Sequence, residues 1–447
     1  MLDQRQTEDL LHDILHLSQA DETEVLILAH NSALTRFANN HIHQNVAEHD
    51  VTVTVRAVVG KRIGSASTNN LSTPALARVV EEALAHARQH PEDPDFSGLS
   101  QPQPVAPILA CDEDTAHYSP AAQATAVGVV CSLAASQQLW AAGAFRTGLN
   151  TIGLANSHGL LAYHTGTLAD LQIVVMGADG SGWAHGSSWQ AHCVDAEALG
   201  REAVAKAIQA QHPRPIQPGA YTIVVDPYVT HELLTTLSFC GMGARSVQEG
   251  RSWMNDRIGK QEMSNLVSIW DDGRNAPADA QPFDREGMPK RRVQIVENGV
   301  ICEPVHDRST AAREGRETTG HATFLGELAA SEPLAAHLFM APGDSSLEEM
   351  IASTTKGLYI TRFWYPRLVH PRNCVITAMT RDGVFMIEDG ELTYPVKNLR
   401  FTQSYVEAMA GVQAVGRDMK TLVQDVGGTS CVPALKIERF TFTGSTA

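Results

Sequence analysis

The chain has 447 residues, about three times the ~150-residue prior for one domain, so two or three domains are expected. Apolar residues make up 43% and charged residues 19%, a globular balance that excludes long disorder. With 34 basic against 50 acidic residues the net charge is −16, which repels a phosphate backbone and disfavours direct nucleic-acid binding.

The opening segment, MLDQRQTEDLLHDILHLSQADETE, lacks the basic stretch and unbroken apolar run of a signal peptide. Leu10, Leu11, Ile14, Leu15 and Leu17 recur at helical spacing and predict an amphipathic helix. No window approaches the ~18 apolar residues of a membrane span, so no membrane association is expected. The seven cysteines are scattered and form no CxxC pair. Neither a disulfide framework nor a thiolate zinc knuckle is expected, and the compartment implied is the reducing cytoplasm.

Next, EVLILAHNSALTRFANNHIHQN predicts two strands joined at Asn31-Ser32. Val51, Val53 and Val55 alternate toward a hairpin turn at Gly60. From Thr73 a helix is predicted, with Pro74 in its first turn and Pro91 at its end. Residues 91–107 are polar and proline-rich, as in an extended linker. A second pass follows: a helical run from Pro120, two strands around Ser157-His158-Gly159, a hairpin through GADGSG, and a helix from Asp195. Both halves run helix, strand, strand, hairpin, helix, so a duplication is predicted over 1–95 and 115–213.

HPRPIQPG, at 212–219, marks the best domain boundary. An N-terminal α+β domain would occupy 1–214 and a C-terminal domain 215–447. Beyond the boundary the texture changes to short strands and frequent turns, with helices at 227–239, 346–354 and 403–412. The fold class predicted is α+β: a duplicated N-terminal α/β region followed by a strand-rich C-terminal sheet or barrel.

No GxxxxGK[ST] phosphate loop and no GxSxG elbow occur. Asp271-Asp272-Gly273 and Asp389-Gly390 read as turns. His231-Glu232 opens a predicted helix in DPYVTHELLTTLSF. Zinc peptidases place a second His about one turn later, with the Glu as general base for the metal-bound water. Here those positions hold Thr235 and Thr236. Taken alone, the pair fits a helix start, with Glu232 at the positive end of the dipole. Other histidines, among them His41, His43, His158, His164, His321 and His370, are dispersed. A second stretch places Thr380, Arg381, Asp382 and Gly383 in a turn between two strands, with Lys397, Asn398 and Arg400 following. Such edges either capture an extended peptide as an added strand or are covered by the fold, and spacing leaves both open.

Ordered fragments along nearly the whole chain resemble the TldD/PmbA family, also called modulators of DNA gyrase. They include Arg36-Phe37-Ala38-Asn39-Asn40, VGKRIGSAST, GRSWMNDRIGKQ, PFDREGMPKRRVQIVENGVI and Thr319-Gly320-His321-Ala322. APGDSSLEEMI, KGLYITRFWY, MTRDGVFMIEDGEL, PVKNLRFT and PALKIERFTFTG complete the set. The resemblance implies a heterodimeric metallopeptidase acting on small or unfolded peptides. Its TldD-type subunit carries HExxxH and a zinc-completing cysteine. Here His231 and Glu232 match the motif, but its second His is Thr236, and Cys431 sits in a context unlike that of the zinc cysteine. The chain thus resembles the TldE/PmbA-like subunit: no metal and no cofactor of its own, zinc in the partner, and catalytic residues reduced to a His231, Glu232 remnant. Thr380, Arg381, Asp382, Gly383, Lys397, Asn398 and Arg400 would border its peptide groove. A homodimer is the other assembly considered. Two further functions stay open: a self-sufficient zinc peptidase using His231, Glu232 and a distant ligand such as His321, and a non-proteolytic regulatory protein.

Overall fold

The structure is a computed structural model that describes residues 2–323, 333–424 and 427–445. Its first part consists of α1 (Gln4–Leu17), β1 (Glu22–Ala38), β2 (His41–Val59), β3 (Arg62–Thr68) and α2 (Thr73–Gln89). A coil and the short α3 (Glu113–Ala116) lead to α4 (Pro120–Ser136), β4 (Trp140–Asn156), β5 (Leu161–Met176), β6 (Ser181–Ser188) and α5 (Ala196–Gln209). The element order is the same in both halves. Their strands form one antiparallel sheet, β3-β2-β1-β4-β5-β6, joined where β1 pairs with β4.

Each half seats its closing helix on a glycine of its third strand. A Cβ at Gly64 would lie 2.1 Å from the Ala87 nitrogen of α2, and one at Gly182 would lie 2.2 Å from the Ala203 carbonyl oxygen of α5. Only glycine permits so close an approach. Pleating then sorts the faces. Val25 and Ile27 of β1 pack with Val53, Val55 and the helix residues Leu11, Ile14 and Val79. Leu28, His30 and Ser32, on the alternate face, line a cavity.

The turn expected at Asn31-Ser32 is absent. Those residues pair with His49 and Glu48 on one side and with Leu149 and Gly148 on the other. The reversal comes instead at Asn39-Asn40, with φ of 52° and 63°. Asparagine tolerates the positive φ that a two-residue hairpin turn requires, so the chain reverses there.

The second part comprises β7 (Ala220–Val225), α6 (Pro227–Gly241), α7 (Ala244–Gln248), β8 (Ile269–Asp271), β9 (Val293–Glu297), β10 (Val300–Ile301) and α8 (Arg308–Arg313). It continues through β11 (His337–Met340), α9 (Leu347–Ala352), β12 (Lys356–His370), β13 (Val375–Glu388) and β14 (Glu391–Pro395). It ends with β15 (Leu399–Ser404), α10 (Tyr405–Ala410), β16 (Val412–Val423) and β17 (Thr429–Ser445). The pairing β7-β12-β13-β15-β17 returns to β7, so part of this sheet closes into a barrel. Aromatic rings help fill it: Phe401 lies 4.5 Å from Phe363 and 5.0 Å from Phe440, centroid to centroid. The fold is therefore α/β in its N-terminal region and strand-rich beyond it.

The turn expected at Thr380–Gly383 is also absent. β13 runs through it, with Arg381 opposite Arg362 and Val384 opposite Ile360. Asp382 and Gly383 thus share the single partner Thr361, a bulge with φ of 58° and 128°. The same Asp-Gly chemistry that makes turns makes this bulge once the strand is paired to β12. Among the described residues no helix is long and apolar enough to cross a membrane.

A buried charge network ties the two parts together. Lys206 of α5, 8% exposed, places Nζ 2.7 Å from Glu202 Oε1 and 2.9 Å from Asp226 Oδ2. Tyr359 donates to Asp226 Oδ2 at 3.0 Å, and Lys420 of β16 reaches Glu202 Oε2 at 2.9 Å. Burial opposes the Lys206 charge, but Asp226 and Glu202 outweigh it and hold the ammonium above its ordinary value. Breaking such a cluster strands a buried charge. We expect Lys206→Met to destabilise the chain by about 3 kcal/mol, read by urea unfolding. An unchanged midpoint would contradict a holding role.

Candidate functional site

Asp226 caps α6 by accepting the Tyr228 N–H, and Pro227 occupies the first turn. Val229, Leu233, Leu234 and Leu237 turn inward at 0% exposure and fix the helix against the barrel. That register leaves His231, Glu232, Thr235 and Thr236 half-buried on the opposite side. His231 Nδ1 shares a hydrogen bond of 2.9 Å with Ser430 Oγ of β17. Thr236 donates to Glu232 Oε1 at 2.9 Å, and the Tyr405 hydroxyl donates to the same oxygen at 3.3 Å.

Electrostatics follow from this enclosure. Burial, aided by the nearby His185 ring, pushes His231 down to about 3. Burial pushes Glu232 up to about 7, against the opposing hydroxyls of Thr236 and Tyr405. Burial thus favours the uncharged forms: His231 is an unprotonated imidazole at neutral pH, and Glu232 is only partly ionised there.

Beside His231 stands a group that the sequence did not single out. Asp170 Oδ1 accepts from His185 Nε2 at 2.7 Å and from Ser187 Oγ at 2.6 Å. Burial alone would raise Asp170, but His185, Ser187 and Arg146 together hold it below its ordinary value. Ser187 and His185 meet the carboxylate through the same oxygen, and Ser187 also accepts the Val423 N–H at 3.2 Å. This is a structural knot between β5, β6 and β16, not a nucleophile–base relay, in which histidine stands between serine and acid. The i, i+2 spacing of His185 and Ser187 was its only sequence signal.

Zinc takes thiolate, imidazole and carboxylate ligands. Around α6 the His231 imidazole, the hydrogen-bonded Glu232 carboxyl and the hydroxyls of Thr235, Thr236 and Ser430 do not make a zinc set; the nearby Asp170 and His185 are bonded to each other, and the Cys240 and Cys374 thiols to one another. Among the described residues no group of three or more His, Cys, Asp or Glu is placed to hold a metal ion. Cys431 follows Ser430 on β17 and so faces the other way, paired across the strands with Thr421. His321 does not join His231. Its Nε2 is 2.8 Å from Asp271 Oδ1 and its Nδ1 2.9 Å from the Thr319 carbonyl, both in the core. The metal set His231, Glu232, His321 is thereby corrected.

The residues expected along a peptide groove do not form a turn at a free edge. Thr380 is buried and accepts the Leu399 N–H at 2.9 Å. Asp382 is buried and accepts from Arg362 at 2.8 Å and from Ser181 at 2.7 Å. Gly383 sits in the bulge, with β12 on one side and the 396–400 segment on the other. Arg381 stacks over Trp364 at 4.7 Å. Lys397 and Asn398 are half-buried and Arg400 is exposed. On the β12 side the backbone of this stretch is already paired, so an added strand cannot enter there.

A cavity of about 520 Å³ opens between the strand face of β1 and β4 and the second part of the chain. His30, Arg146 and Asn150 line one wall; Lys290, His321 and Gly428 line the other.

Glu232 offers a direct check on this electrostatic picture. The folded chain keeps a proton there up to about pH 7, whereas the ordinary value is 4.5. Stability is therefore full below the ordinary value and is lost as pH rises through 7. We expect Glu232→Gln to flatten that loss between about pH 5 and pH 8, measured by urea unfolding. Parallel curves for the two proteins would contradict the assigned burial.

Family models match in the order of the chain. They are the PmbA/TldA metallopeptidase domain 1 over residues 23–87, the central domain over 108–211 and the C-terminal domain over 218–444. A metalloprotease of Methanothermobacter thermautotrophicus is 26% identical over 279 residues, which span 59% of this chain and 60% of that protein. Metalloprotease PmbA of Escherichia coli O157:H7 is 24% identical over 395 residues, 84% of this chain and 83% of that one. The crystal structure of TldE from Thermococcus kodakarensis matches in fold, with a TM-score of 0.88 at 19% identity over 98% of this chain and 99% of that one. The chain belongs to the PmbA/TldA metallopeptidase family.

Proposed function

We propose that this chain is the TldE/PmbA-like subunit of a heterodimeric metalloprotease, and that its TldD-type partner supplies the HExxxH motif and the zinc. The substrates are small unfolded peptides. One observation carries the proposal: Thr236 stands where the second ligand histidine would, and its hydroxyl donates to Glu232 at 2.9 Å. The position is filled by a stabilising hydrogen bond, and His231 is engaged by Ser430. The cavity between the two parts of the chain gives an extended peptide room to lie against polar strand residues. Arg381 and Arg400, whose side chains reach solvent, stand in the proposal as contacts to that peptide or its path inward.

The test is peptide turnover by the chain alone and by the chain mixed with a TldD-type subunit. Only the mixture is expected to turn over peptide. Glu232→Gln in this chain should leave its rate unchanged, while Arg381→Ala should slow it without changing zinc content. Turnover by the isolated chain, abolished by Glu232→Gln, would overturn the proposal in favour of a self-sufficient enzyme. No turnover in any combination would favour a regulatory protein.

A further inference from the structure

The cavity holds a cation that the fold does not neutralise at contact. Lys290 lines it and is 5% exposed, and among the described residues its ammonium has neither a hydrogen-bond nor an ion-pair partner. Two carboxylates feel its field, Asp271 and Asp284, but both are spent elsewhere. Asp271 accepts from His321 at 2.8 Å and from the His337 N–H at 2.8 Å. Asp284 accepts the N–H groups of Glu286, Met288 and Ala322, each at 2.9 Å. The lysine stem lies over Gly273, where a Cβ would come within 2.4 Å of the Lys290 Cδ, so the glycine leaves room for the stem to run there. An ammonium on a largely buried side chain is stabilised most when an anion meets it. A fold that uses both nearby carboxylates for other donors leaves those N–H groups facing the cavity.

We infer that Lys290 is the anchor of an anion subsite in this cavity, and that the anion is a carboxylate carried by the bound peptide. The inference rests on the peptide-processing proposal for the class of ligand. The remaining wall fits such a guest. Arg146, whose side chain is about half exposed, adds a second cation, and Asn150 and Gln281 add amides that can meet peptide groups. Glu48 and Asp50, on the β2 side of the same cavity, oppose an anion there; Asp279 also lines it, with its Oδ2 accepting the Gly428 N–H at 2.9 Å. The carboxylate can be the peptide's C-terminus or an acidic side chain.

The experiment is calorimetric titration of the full chain, without a partner subunit, against three peptides. These are tetra-alanine as the free acid, tetra-alanine amide, and an N-acetylated amide of the same length with one internal glutamate. The free acid should bind about ten-fold or more tightly than the plain amide, the factor expected of one charge-assisted hydrogen-bonded pair. Lys290→Met should abolish that preference and Lys290→Arg should keep it. A glutamyl amide that matches the free acid assigns the anion to a side chain; one that binds like the plain amide assigns it to the terminus. Equal binding of acid and plain amide by the wild-type chain, or a preference surviving in Lys290→Met, would overturn the inference. Because turnover is not read, this outcome and failure of the two-subunit proposal are told apart.

Discussion

A buried lysine between two carboxylates fixes how the two sheets face each other. Lys206 belongs to α5 on the six-stranded sheet, while Asp226 caps α6 and Lys420 belongs to β16. The cavity lies between these parts, so its shape depends on that clamp holding their spacing. Ion pairs of this kind are weak sources of net stability but strong sources of specificity in placement, because any slip leaves a charge unpaired in the interior. The glycines at 64 and 182 work to the same end, letting α2 and α5 lie close on their strands. With the helices on one face, the other face of β1 and β4 is free to line a site.

On α6, hydroxyl groups hold the His231 and Glu232 side chains in place. A zinc ion would hold an imidazole and a carboxylate in place by ligation. Here hydroxyls do that work: Ser430 on His231, Thr236 and Tyr405 on Glu232. Ser430 holds the His231 ring through Nδ1, Thr236 and Tyr405 both occupy Glu232 Oε1, and burial raises the glutamate toward its protonated form. The histidine and glutamate then act as parts of the core boundary, with the adjoining Asp170–His185–Ser187 knot securing β5 and β6 beside them.

Much of the architecture was legible in the sequence because local pattern and tertiary fate agreed. Alternating valines became β2, the Thr73 segment became α2, and the C-terminal stretches of short strands became the larger sheet. Where pairing on both edges outweighed local turn chemistry, the expectation failed. Asn31-Ser32 became mid-strand because neighbours on each side offered hydrogen bonds that a turn would have forfeited, and Thr380–Gly383 became a bulge against β12. The site divides in the same way. His231 and Glu232 are contiguous and could be singled out. Ser430 is 199 residues away, and Lys290 becomes notable only once its burial and lack of a partner are known. Such features arise from packing between distant segments and leave no spacing to read.

Zinc per chain, measured by elemental mass spectrometry on the untagged protein purified alone, tests the central claim most directly. With no group of three or more His, Cys, Asp or Glu placed to hold a metal ion among the described residues, we predict background zinc, with the metal appearing only when a TldD-type subunit is bound. Near-stoichiometric zinc in the isolated chain would contradict the account and show that His231 and Glu232 are ligands after all.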